Sequence, residues 1–140
     1  MSTGKVRSVE ALIYWNLDLL QLVHDTVEDA QDPRVPLSML RILQKVSVLD
    51  PTCGSGAFLF SALNIIEALY DACLSRMDEF VAETQRGQTA IDESTLSVFR
   101  SELARVKEHP SRRYSVLKSS IVANLYGVDI MEEAVEICKL

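Results

Sequence analysis

Val46-Ser47-Val48-Leu49-Asp50-Pro51-Thr52-Cys53-Gly54-Ser55-Gly56-Ala57-Phe58 is the stretch on which the fold turns. Its first four residues are a short β-branched apolar run that reads as a buried strand. Asp50 and Pro51 close it, since proline lacks the N–H that a continuing ladder needs. Two of the five glycines, Gly54 and Gly56, follow close together, and apolar residues at helical spacing begin at Ala57. Strand, glycine turn and helix form the junction where α/β sheets take ligands: glycine lets backbone approach the ligand, and a helix start offers unpaired N–H groups.

Upstream, Val9, Leu12, Ile13, Leu17, Leu20, Val23 and Val27 recur every three or four residues, the stripe of an amphipathic helix expected to run to about Asp32. Asp32-Pro33-Arg34 breaks it, and Pro36 restarts a short helix through Leu37, Leu40 and Leu43. Downstream, Leu59, Leu63, Ile66, Tyr70, Cys73, Met77 and Phe80 mark a long helix. With Phe58, Phe60, Ala62 and Ile65 added, its first half is expected to be buried on more than one side, and Gly87 is its expected end. A helix capped by Asp92 or Ser94 runs to Pro110, and another covers about Arg112 to Asn124. Leu125-Tyr126-Gly127-Val128-Asp129-Ile130 is a second strand, and Glu132 and Glu133 open a last helix.

The 140 residues allow one compact domain. Residues 1–45 read as a helical N-terminal extension, and residues 46–140 as the first part of a ligand-binding domain with a helical insertion at about 88–123. The expected fold class is α/β: a parallel βαβ unit with extra helices, helix-rich and truncated, because the sequence stops in the middle of a helical pattern. The net charge of −6 excludes a surface that clamps nucleic-acid phosphates as a whole. Asp18, Asp25, Glu67 and Asp71 interrupt the best apolar runs, so no membrane span is expected. Without the pattern of a secretory signal in Met1 to Glu10, the expected location is the cytoplasm.

Cys53, Cys73 and Cys138 are odd in number and far apart, fitting neither a disulfide framework nor a metal knuckle, and are read as reduced thiols. His24 and His109 stand alone, and no metal site is expected. The order Cys-Gly-Ser-Gly-Ala lacks the spacing of a serine hydrolase elbow.

Three nucleotide chemistries compete for the glycine turn. The phosphate-cradling loop requires Gly-Lys, which is absent here. The dinucleotide fingerprint fits halfway, since Leu59 replaces its third glycine and the next strand's acid, Asp129, is much farther along than about 20 residues. The third is S-adenosylmethionine. Asp50-Pro51-Thr52-Cys53-Gly54-Ser55-Gly56-Ala57-Phe58-Leu59 resembles the cofactor-binding motif of DNA adenine methyltransferases from restriction-modification and phage-defence systems. Asn124-Leu125-Tyr126-Gly127-Val128-Asp129-Ile130, with Glu133-Ala134-Val135 after it, resembles the second-strand motif of the same enzymes.

The resemblance implies a partial Rossmann-like class I methyltransferase domain and S-adenosylmethionine as cofactor. It implies that Asp50 accepts from the ammonium of the methionine end, that Gly54 and Gly56 leave room for that end, and that Asp129 accepts from both ribose hydroxyls. Ile130 packs on adenine in this reading; Pro51, Thr52, Cys53 and Ser55 shape the turn, with Phe58 behind it. The implied reaction moves the methyl group to the exocyclic amine of adenine in DNA. No Pro-Pro pair occurs in the sequence, so the catalytic turn that orients the target amine is lacking, and no catalytic residue is assigned. This stretch alone is expected to be inactive. The expected partners are DNA, contacted through the parent protein, the remaining methyltransferase and target-recognition regions, and a second copy through an exposed sheet edge. Arg112, Arg113 and Lys118 are candidates for DNA backbone contacts, against the plainer reading of a solvated or docked face. Asp50 has a plain reading too, as a turn or cap residue. Two other functions remain open: a helical interaction module, and a methyltransferase for RNA or protein.

Overall fold

A computed structural model describes residues 18–139. The helices are α1 (Leu19–Glu28), α2 (Arg34–Leu43), α3 (Ala57–Gln85), α4 (Glu93–Lys107), α5 (Arg112–Asn124) and α6 (Glu132–Cys138). The strands are β1 (Val48–Asp50), before α3, and β2 (Leu125–Gly127), between α5 and α6. The expected helix upstream of Asp18 lies outside the described residues.

Side-chain caps set several of these bounds. Asp18 accepts from the Gln21 N–H at 3.0 Å, and Ser111 from that of Tyr114 at 3.1 Å, each satisfying a donor that a helix start leaves unpaired. Asp92, not Ser94, caps α4 through the Thr95 N–H at 2.8 Å. α1 ends at Glu28, four residues short of Asp32, where the Ala30 N–H turns from the four-residue pattern to the Val27 carbonyl three residues back.

α3 is the central element, touching α1, α2, α4, α5 and both strands. Val27 of α1, Leu37, Leu40 and Leu43 of α2, Tyr70, Cys73, Met77 and Phe80 of α3, Phe99 of α4 and Val116 of α5 make one core. Arg76 is buried in it with its charge satisfied: Nε donates to the Ala30 carbonyl at 2.8 Å and Nη1 to Glu79 and Glu83 at 2.9 and 3.0 Å. Its guanidinium lies 4.0 Å from the Phe80 ring centre, adding a cation–π contact. Contrary to expectation, α3 is long and apolar enough by length and composition to cross a membrane, despite Glu67 and Asp71. Its apolar stripe instead meets the surrounding helices, the arrangement of a core helix.

The expected α/β fold class is overturned. Of the described residues 69% are helical, and the sheet consists of β1 and β2 alone, paired in parallel with Val48 opposite Leu125 and Asp50 opposite Gly127. Three residues per strand carry too little ladder and too little apolar face to organise the molecule as a Rossmann-like methyltransferase domain. The helices, packed on α3, organise it instead. The first half of α3 also differs from expectation: Leu59, Leu63 and Ile66 are buried, whereas Phe58, Phe60 and Ile65 are exposed. It is covered on one side only.

Candidate functional site

The two strand ends and the turn after β1 are joined by short backbone bonds. The Val128 N–H donates to the Asp50 carbonyl, and the Cys53 N–H to the Val128 carbonyl, both at 2.9 Å. The parallel pairing thus continues one step beyond the strands and holds the Asp50 and Asp129 segments side by side. Asp129 then reaches across. Its Oδ2 accepts from the Gly54 N–H at 2.8 Å and its Oδ1 from the Met131 N–H at 2.9 Å. Those bonds, Met131 first and Gly54 second, hold the Asp129 carboxyl below the usual carboxylate range. Asp50 Oδ1 accepts from the Thr52 N–H at 3.1 Å, bending the turn on itself.

The glycines act in different ways. Gly56 is left-handed (φ +82°), and a Cβ there would stand 2.7 Å from Cys138 Sγ, so the absent side chain makes room for α6. Gly127 sits so close to the turn that a Cβ would meet Leu59 Cδ1 at 2.9 Å and Cys53 Sγ at 3.1 Å. Open space lies over Gly54.

Asp50, Thr52, Cys53, Gly54 and Asp129 therefore converge. Other residues named from the sequence do not join them. Ile130 is 99% exposed and packs on nothing, while Phe58, expected behind the turn, is 59% exposed. Gly56 faces Cys138 instead of open space. Pro51 and Ser55 are exposed parts of the turn. A cleft of about 390 Å³ lies behind the turn, lined by Cys53, Gly56, Leu59, Phe60, Cys138 and neighbouring apolar residues. Neither aspartate lines it.

Arg112 and Arg113 are committed elsewhere. Arg112 Nε pairs with Asp71 at 2.8 Å and Nη2 donates to Ser75 Oγ at 2.9 Å, whereas Arg113 Nε pairs with Glu67 at 2.7 Å. They clamp α5 to α3; Lys118 is exposed. On α1, His24, Asp25 and Glu28 bring their ligand atoms within 4.8 Å of one another, an i, i+4 pairing of His24 with Glu28 that the sequence reading missed. Asp25 there already accepts from Gln21 Nε2 at 2.6 Å.

Sequence reasoning also missed the work of Asn124. Fully buried at the end of α5, its Nδ2 donates to the carbonyls of Leu43 and Val46, each at 2.6 Å. It ties the entry of β1 to the entry of β2. A polar residue after the apolar run Ile121-Val122-Ala123 and just before a strand was the available signal. No family model, curated protein or solved structure matches the chain.

Proposed function

We propose that the chain is the S-adenosylmethionine-binding part of a DNA methyltransferase that modifies the exocyclic amine of adenine, of the kind found in restriction-modification or defence systems, and that it works in the cytoplasm. The observation that carries this reading is the 2.8 Å bond from the Gly54 N–H to Asp129 Oδ2, which joins the two quoted motifs across 75 positions.

The donor and acceptor chemistry suits the cofactor. Each Asp129 oxygen accepts one backbone N–H and keeps a lone pair for a ribose hydroxyl. Asp50 uses one oxygen on Thr52 and keeps the other for an ammonium group. The space over Gly54 is open to the methionine end. When bound, S-adenosylmethionine supplies a methyl group already activated by its positive sulfur. This chain's own contribution is to bind and orient, with the turn fixed by Asp129 before the ligand arrives. Groups that orient the target amine, and those that read DNA, come from outside these 140 residues in this proposal.

A second reading, a helical interaction module, is favoured by the bare outer face of the sheet, where Leu49 and Tyr126 are 60% and 50% exposed. Calorimetry with S-adenosylhomocysteine separates the two. Wild type is expected to bind, and Asp129→Ala to bind at least about tenfold more weakly, the effect of losing a charged hydrogen-bond acceptor. Equal binding by both proteins refutes the ribose assignment. No binding by either, with concentration-dependent self-association, favours the interaction module.

A further inference from the structure

The cleft behind the glycine turn carries two cysteines, and the cofactor reading, which uses Cys53 only to shape the turn, gives neither sulfur a role. Cys53 and Cys138 are far apart in sequence yet line the same cleft. Backbone bonds hold Cys53: its N–H donates to Val128 at 2.9 Å, and its carbonyl accepts from the Gly56 N–H at 2.7 Å. Cys138 is the last residue of α6, and its Sγ lies 2.7 Å from where a Gly56 Cβ would stand. Cys53 Sγ lies 3.1 Å from the corresponding point on Gly127 of β2, and both glycines line the cleft between the two cysteines. Cys138 is close enough to help push the Cys53 thiol up.

We propose that Cys53 and Cys138 form a modification site, a dithiol that a low-molecular-weight disulfide such as oxidised glutathione converts to an intramolecular disulfide. Cys138 is half-buried and Cys53 buried, so Cys138 is the thiol that meets the oxidant first. Its thiolate attacks one sulfur of the oxidant; the oxidant's S–S bond breaks, and one glutathione leaves as a thiolate that takes up a proton. Cys53 then gives up its proton and attacks the Cys138 sulfur, releasing the second glutathione as thiol. The two protein thiols lose two electrons and two protons, and the oxidant gains both. Burial first, and then the neighbouring Cys138 thiol, push the Cys53 thiol up, so Cys53 is not the thiol that attacks the oxidant. The new bond ties the turn after β1 to the end of α6. Cys73 is fully buried in the core, its thiol pushed up to about 12 by burial, and serves as the internal control.

The test incubates the reduced, folded full chain with oxidised glutathione, followed by intact mass, thiol counting after denaturation, and peptide mapping without reduction. Expected is the loss of two of the three thiols, a mass lower by two hydrogens, a Cys53–Cys138 cross-linked peptide, and reversal by dithiothreitol. Cys53→Ser should stop at a glutathione adduct on Cys138, while Cys73→Ser should form the cross-link as wild type does. A wild-type chain that remains unreacted, holds only mixed disulfides, or links through Cys73 or between molecules overturns the proposal.

Discussion

The body of the molecule and its sheet end are built on different terms. Between α1, α2, α4 and the later turns of α3, the large side chains vanish from solvent: Val27, Met77 and Phe99 are 0% exposed and Phe80 is 1%. At the sheet end Leu49, Phe58, Tyr126 and Ile130 are at least half exposed, and α6 has no buried residue. Apolar burial holds the first region together, whereas the second depends on directed bonds from Asn124, Asp129 and the Val128 backbone. The difference teaches that folding and the candidate chemistry occupy separate ends, so each can be broken without the other.

The largest effect is expected in the body. Phe99→Ala removes a fully buried ring that packs on Phe80 with centroids 6.2 Å apart. A loss of about 3–5 kcal/mol, read as a lower urea midpoint, is expected from the vacated volume. A smaller loss is expected where the two regions meet. Asn124→Ala leaves two carbonyls without their donor and should cost about 1–3 kcal/mol. It should also raise amide exchange in β1 and β2 more than in α4; uniform exchange would contradict the division between the ends.

The third test is confined to the turn. Because the native Asp129 carboxyl is depressed below its ordinary value, its tie to Gly54 is fully present above the unfolded carboxylate value and is lost as pH falls through the native one. The Gly54 and Met131 amide resonances should report this acid step, and Asp129→Asn should abolish it. An unchanged step in the variant would assign the transition to another group. The smallest effect belongs to the bare face: Leu49→Ser should change stability by no more than about 0.5 kcal/mol, and a larger drop in the urea midpoint would contradict its exposure.

Local signals in the sequence located the helices well. The spacing and flanks of Arg112 to Asn124 match α5, Asp92 caps α4, and Gly87, left-handed at φ +71°, follows the end of α3. Long-range facts were not legible. Arg112 and Arg113 read as a solvated or docked face, with DNA contact as the lesser reading, but what they dock on was not legible because Asp71 and Glu67, which pair with them, lie some forty positions earlier. Phe58, Phe60 and Ile65 read as buried because composition records that residues are apolar, not whether anything stands over them. The fold class was misjudged for a related reason: a strand-turn-helix motif describes a junction, and it is the amount of ladder around it that decides between a sheet protein and a helical one. At the candidate site, the convergence of Asp50, Gly54 and Asp129 was legible from motif order, whereas the partnership of Gly56 with Cys138 was not.

The most direct measurement is an amide-resolved NMR titration of the chain with S-adenosylhomocysteine. Saturable shifts at Thr52, Gly54 and Met131, whose N–H groups bond to Asp50 and Asp129, are expected while the amides of α4 stay fixed. Saturable shifts confined to other surfaces, or none at all, would contradict cofactor binding at the joined strand ends.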